Sequence, residues 1–422
     1  MMPPLDYNRA ADYTEALEAR LVDRLDTDFV VSRRGILGGL GLAGGAALTG
    51  LGGSAMGQGA GSDDDDSGFG ARGEYENTRF DPHEFLTQFN TGRDGQDNVP
   101  QRVFEENGQT VREFEFTAVD TTVEIAPGVE FSAWTYNGQV PGPTLRVTEG
   151  DLVRIRFTNG SSNPHTIHPH LRNLRPEMDG IPQNGPGELD TGESFTYEWQ
   201  ANPMGVHLYH CHSSPLKEHV HRGLYGAIIV DPDPERVREH PEEYVPYHPS
   251  QITDALREDL VETAKRRNYE FIQRNDYDLN ELVMVMNGFD TNFDVDNEVY
   301  AVNTRAFAYG VGRTDGNGNW QAGETKRPIQ IDRNDRQRIY LVNATEFDPI
   351  NSLHTHSQFY DYYDHGTTLT PTHQTIDTVM QCQAQRGILE LDYSDHEPGL
   401  YMFHAHQSEF AELGWMSFFE VV

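Results

Sequence analysis

Residues 207–224 read HLYHCHSSPLKEHVHRGL and place five of the chain's eighteen histidines around one of its two cysteines. His210 and His212 flank Cys211, and His219 and Leu224 follow. In extended backbone, successive side chains point to opposite faces, so the flanking histidines share one face and the cysteine takes the other. The same parity runs through HTIHPH at 165–170, where His168 and His170 share a face and His165 joins the cysteine's side. Two neighbouring metal sites follow, linked by one tripeptide. The first holds His165, Cys211 and His219. A thiolate with two imidazoles and a weak or absent axial donor is the ligand set of one-electron copper centres. Leu224, where such a site often carries methionine, cannot ligate and favours the reduced metal. His221 alternates with His219 and competes for its role, but the five-residue step to Leu224 favours His219. A disulfide between Cys211 and Cys382 is the competing reading for an exported chain. Bracketing histidines have no purpose in a disulfide, so Cys382, in VMQCQAQRG, is read as a small buried apolar residue.

The second site emerges from an internal duplication. GDLVRIRFTNGSSNPHTIHPH (150–170) matches NDRQRIYLVNATEFDPINSLHTH (334–356), and GVHLYHCHSSP (205–215) matches PGLYMFHAHQSE (398–409). His168 and His170 thus pair with His354 and His356, and His210 and His212 with His404 and His406. Asn351 replaces His165 in the second copy, Ala405 replaces Cys211, and no histidine follows His406. The second copy has kept the outward imidazoles and lost the thiolate site. Zinc is the common partner of clustered histidines, but it exchanges no electrons beside a redox thiolate, so copper is preferred for the eight as well.

Short alternating strands between Gly, Pro and Asn turns must position these groups, as in TVEIAPGVEFSAWTYNGQVPGPTLRVTEGDLVRIRFTNGSS. A helical pattern at 254–272 separates two strand-rich regions. The expected organisation is an export signal and acidic linker at 1–75, a β-domain at 76–245, a helical linker at 246–277 and a second β-domain at 278–422. Sixty-seven acidic residues against thirty-two basic ones give a net charge of −35, which repels nucleic acid and anionic membranes. With a tenth of the residues aromatic, this acid reads as a hydrated coat on a folded core, the composition of salt-loving archaea. Arg33 and Arg34 precede a glycine-rich apolar run that resembles a twin-arginine export signal, implying an extracellular or cell-surface protein. The run from Ile36 to Leu51 is short for a membrane span, so membrane attachment is expected only through an uncleaved N-terminal segment. The Gly39, Gly41, Gly44 pattern inside it lacks the strand and acidic residue of a dinucleotide loop.

HTIHPH and the Cys-centred segment resemble the copper motifs of multicopper oxidases of laccase type, and the resemblance spans residues 105–422. It implies an all-β fold of two cupredoxin-like Greek-key barrels or sandwiches, joined by a helical connection and preceded by a flexible extension. It implies four coppers per chain: type 1 on His165, Cys211 and His219 with Leu224 axial, type 2 on His168 and His354, and a type 3 pair on His170, His210, His212, His356, His404 and His406. Dioxygen and a small reducing substrate, a phenol, an aromatic amine or a metal ion, would be the reactants. Asp179 resembles the acid that family members place beside type 2 copper, and Glu409 is a second candidate for proton transfer. Two-domain relatives close the cluster between chains, which implies a homotrimer. Copper nitrite reductases share the two-domain layout but carry aspartate where His168 stands and lack a histidine after the cysteine. Nitrite reduction is the alternative reading, and a copper-binding electron carrier the third.

Overall fold

The computed structural model describes residues 102–422, apart from 127, 276–278, 308–312, 315–319 and 322–327. The expected export segment and linker, with Arg33 and Arg34, lie outside the described residues. No helix among the described residues is long and apolar enough to cross a membrane.

The first strands are β1 (Arg102–Glu106), β2 (Gln109–Ala126), β3 (Val129–Tyr136), β4 (Leu145–Thr148), β5 (Leu152–Asn159), β6 (His168–Pro169), β7 (Ser194–Gln200), β8 (Gly205–His210) and β9 (Tyr225–Asp231). They make one sheet in the order β1-β2-β5-β7, with β3 also paired to β2, and another in the order β4-β9-β8-β6. In β5, Val153, Ile155 and Phe157 are buried while Arg156 and Thr158 are exposed, the period-two pattern of a strand with one wet face. Phe114, Ile155 and Trp199 of the first sheet meet Leu145, Ile228 and Val230 of the second in one core.

The later strands are β10 (Leu279–Phe289), β11 (Val299–Val302), β12 (Arg313–Thr314), β13 (Trp320–Gln321), β14 (Ile329–Ile331), β15 (Arg336–Asn343), β16 (Ile350–Thr355), β17 (Tyr360–Asp364), β18 (His373–Ile376), β19 (Thr378–Cys382), β20 (Arg386–Leu391), β21 (Gly399–His404) and β22 (Met416–Val421). Their sheets run β11-β10-β15-β20-β17-β18 and β14-β22-β21-β16-β19, beside the β12-β13 pair. The sequence duplication is matched in register. β2 pairs in parallel with β5 so that Ala118 faces Asn159, and β10 pairs in parallel with β15 so that Met286 faces Asn343. These two-sheet units give the all-β, sandwich-type architecture expected of the sequence.

The β8-β9 sheet is buried on both faces. Its outer residues Val206, Leu208, Ala227 and Ile229 pack on Val283, Val285, Tyr340 and Val342. That is why Tyr225–Asp231 is continuously apolar until its last residue. An ionic cluster crosses the same boundary: Arg146 reaches Asp231 at 3.0 Å and Glu281 at 2.7 Å, and Arg338 reaches Glu281 at 3.3 Å and Glu390 at 2.9 Å. Burial pushes the Glu281 carboxyl up, but Arg146 and Arg338 overcome it and hold it at about 2.

Helices are short. α1 (Leu216–His221) and α2 (Pro234–Glu239) flank β9, α3 (Asp254–Arg267) and α4 (Tyr269–Asn275) form the connection, and α5 (Ser408–Glu412) precedes β22. The helical pattern at 254–272 is interrupted at Asn268, whose side chain accepts from Phe271 N and donates to Pro232 O. A side chain that bonds nearby backbone in this way ends one helix and starts the next.

Candidate metal centres

The thiolate site is assembled from three separate pieces of chain. Cys211 follows β8 directly, with its backbone N–H donating to Leu224 O at 2.9 Å. His165 sits in the turn after β5, where its backbone N–H and C=O pair with Leu189. His219 comes from α1. Pro215 sits at its N-cap, and the turn returns His219 to the cysteine eight residues upstream. The side chains converge: His219 Nδ1 lies 3.3 Å and His165 Nδ1 3.8 Å from Cys211 Sγ, and the two Nδ1 atoms are 3.1 Å apart. All three residues are buried, as is Leu224, whose apolar side chain joins the same core as Cys211. His221, the competitor, points elsewhere and accepts from Asp290 N at 2.8 Å.

Burial pushes the Cys211 thiol up, although hydrogen bonds from Thr166 and Ser213 act the other way. Burial likewise lowers His165 to about 3, so its imidazole is neutral and its lone pair free at neutral pH. A neutral imidazole pair and a buried thiol of raised pKa, aimed at one point, fit a thiophilic cation that displaces the thiol proton.

Eight further histidines form two matched quartets. In the first, ring centroids of His168 lie 5.2, 5.3 and 5.4 Å from those of His170, His210 and His212. In the second, His354 lies 5.0, 5.4 and 5.2 Å from His356, His404 and His406. One register produces both, because His168 faces His210 across β6–β8 and His354 faces His404 across β16–β21. Orientation is matched as well. His168 Nδ1 donates to Asp179 O at 2.7 Å and His354 Nδ1 to Asp377 O at 3.0 Å. His210 Nδ1 donates to Cys211 O at 2.8 Å and His404 Nδ1 to Ala405 O at 2.6 Å. His168, His210, His354 and His404 thereby present Nε2 as the lone-pair nitrogen; His210 Nε2 lies 3.1 Å from His170 Nε2, and His404 Nε2 3.0 Å from His356 Nε2. Burial holds His170 at about 2 and His210 at about 4, so both are neutral donors. Three histidines of each quartet meet as a ligand cluster, one set in each half of the chain. The donor types and their fixed tautomers fit copper.

The first quartet opens on a cleft of about 560 Å³ whose far wall includes Asn343, Glu346 and Gln383. Burial raises the Glu346 carboxyl to about 7. Asp179 stands beside His168, its carboxylate 3.2 Å from Nδ1, and closes a turn completed by Gly180. Glu409 is exposed on α5. Cys382 is a correction: it is exposed, not buried. β19 is a sheet edge whose residues alternate outward and inward, and Thr378, Met380 and Cys382 fall on the outward parity. Neither cysteine is in a disulfide.

Several contributors escaped sequence reading. Trp134 packs its ring 4.8 Å from His219 and 5.5 Å from His165, roofing the thiolate site. Thr166 donates its backbone N–H to Cys211 Sγ at 3.4 Å, and its hydroxyl accepts from His212 N at 2.9 Å. Asp377 mirrors Asp179 in the second copy. Aligning the duplicated halves finds Thr166, inside HTIHPH; the other two have no marker of type or spacing.

Residues 117–235 and 290–422 each match a family model described as multicopper oxidase. Among curated proteins, the chain is 35% identical over 118 residues to the copper-containing nitrite reductase of Neisseria meningitidis serogroup A, covering 27% of this chain and 29% of that one. It is 36% identical over 119 residues to copper resistance protein A of Escherichia coli, covering 28% and 19%. The matched stretches thus span less than a third of those relatives. A solved structure described as a multicopper oxidase is 42% identical, with a TM-score of 0.61, over 81% of this chain and 97% of that one. A copper nitrite reductase from Nitrosomonas europaea shares the fold, with a TM-score of 0.56 and 24% identity over 74% of this chain and 94% of that one.

Proposed function

From the premise that this chain belongs to the multicopper oxidase family, with both halves matched and a 42% identical relative covered almost end to end, we propose that it is a laccase-like oxidase. It takes single electrons from a phenol, an aromatic amine or a metal ion and reduces dioxygen to water. The observation that carries this reading is the pair of matched imidazole quartets, one of them covalently continuous with a Cys-His-His site through His210–Cys211–His212. When bound, copper supplies one-electron exchange at the thiolate and multi-electron reduction of dioxygen at the imidazoles.

His165, Cys211 and His219 would hold type 1 copper, and Leu224, buried in the same core, would offer it no donor. His168 and His354 would hold type 2, and the remaining six histidines the type 3 pair. The histidines cluster as one set in each half of the chain, and, as the resemblance to two-domain relatives implies, the complete eight-histidine set would close between subunits of a homotrimer. Four copper ions per chain follow. Water formation consumes protons, and Asp179, against His168 and open to solvent in part, is the group placed to pass them on. Trp134 and Leu224 seal the thiolate site from water.

The similarity to nitrite reductases supports a second reading, nitrite reduction. His168 and His212 argue against it, since those enzymes carry aspartate at the first position and lack the second histidine. Export through the twin-arginine route and a high-salt, extracellular or cell-surface setting complete the proposal.

The test is metal analysis of the loaded protein with oxygen uptake on a phenol and gas analysis on nitrite. About four coppers per chain and oxygen consumption are expected. One or two coppers, or nitric oxide release, would refute the oxidase.

A further inference from the structure

His165 is gripped from behind. Its Nε2 lies 2.9 Å from Ser161 Oγ, and the Ser161 hydroxyl in turn donates to Asp120 Oδ1. Asp120 also accepts from Ser162 N at 3.1 Å and Ser162 Oγ at 2.6 Å. A carboxylate can only accept, so the Ser161 hydrogen is committed to Asp120 and the Ser161 lone pair faces His165. The Nε2 of His165 must then carry the ring proton, leaving Nδ1 as the lone-pair nitrogen that faces Cys211 and His219. Ser161 and His165 are fully buried, and Asp120 reaches solvent.

The duplication supplies an internal comparison. Asn159 and Asn343 hold equivalent turns, accepting from Ser161 N at 2.9 Å and Thr345 N at 3.0 Å. Thr345 therefore stands where Ser161 does, and it accepts from Asn351, the replacement for His165, at 3.0 Å. The hydroxyl contact survives in the copy without a thiolate site. The carboxylate does not: with Ala118 facing Asn159 and Met286 facing Asn343, two residues on along each strand Asp120 corresponds to Gly288. The hydroxyl alone is thus a turn-building feature common to both copies, whereas the carboxylate behind it occurs only where a metal-facing histidine does.

We propose that Asp120 and Ser161 form a positioning relay that fixes the tautomer and direction of His165 and thereby tunes the affinity and reduction potential of the metal held by His165, Cys211 and His219. The relay rests on the copper reading of that site. A carboxylate-backed hydrogen bond makes an imidazole a stronger donor, which favours the oxidised metal.

The experiment compares Ser161→Ala, Asp120→Asn and Ser161→Thr in the full-length, copper-loaded chain, with Thr345→Val as the control in the second copy. The readouts are the thiolate-to-copper visible absorption, the midpoint potential of that centre and copper retention against a chelator. Ser161→Ala is expected to weaken retention about tenfold and raise the potential. Asp120→Asn, a surface change that leaves the turn intact, moves both readouts the same way by less. Ser161→Thr restores them, and Thr345→Val changes neither. If Asp120→Asn matches the wild type in absorption, potential and retention, the relay is overturned and Ser161 merely pins the turn. An unsubstituted protein that develops no thiolate-to-copper absorption defeats the copper reading instead, so the two failures are told apart.

Discussion

Burial governs the chemistry of individual residues here. His165, His170 and His210 are held at about 3, 2 and 4 by desolvation, against 6.5 for a free imidazole. Between those folded values and 6.5 the unfolded metal-free chain binds more protons than the folded one, so stability rises with pH across that window and levels off above it. Calorimetry of the metal-free protein should therefore show Tm falling as pH drops from about 6.5 towards 4. A Tm independent of pH over that range would contradict the burial of these rings. The convergence of imidazoles and thiol was readable from the sequence because alternation along strands leaves a short, type-specific signature. Asp120 and Trp134 were not, since they reach the site from β2 and β3 with side chains of ordinary type, nor was Ser161, an ordinary serine in the turn that carries His165. His219 was chosen over His221 on a spacing argument, and α1 supplies its physical basis by turning the two rings to different sides.

At the scale of elements, matched turns and registers aim the histidines. Gly180 lies at φ +71°, and a Cβ there would fall 1.8 Å from Ile167 O, beside the His168 backbone. Glycine is required by both the positive φ and the close approach. Gly180→Ala is expected to cost about 1–3 kcal/mol and to displace Asp179 from His168. Copper loss should be confined to the quartet, with the visible band of the thiolate site kept; simultaneous loss of that band would show that the turn serves both sites. Strand content and the duplication were legible from alternation and repeated motifs. The placement of Cys382 was not, because parity within VMQCQ decides its face only once β19 is known to be an edge strand. The helical break at Asn268 also escaped, since one side chain's competition for backbone hydrogen bonds outweighs a periodic pattern.

Across the molecule, the two halves are joined by an apolar layer and by the Arg146, Glu281, Arg338 and Glu390 cluster. Removing one carboxylate leaves buried guanidinium groups without their counter-charge, so Glu281→Ala should destabilise the chain by about 3–5 kcal/mol in denaturant titration. A loss below 1 kcal/mol would mean that water enters the cluster. None of this cluster could be inferred from sequence, where its members are scattered among many charged residues. The separate placement of the quartets has a consequence for genetics as well as chemistry. Two crippled alleles, one lacking His168 and His170 and the other lacking His354 and His356, each encode an inactive protein. In the homotrimer proposed for this chain they should complement on co-assembly, because a junction that joins the intact half of one to the intact half of the other, about a quarter of junctions at random, is whole again.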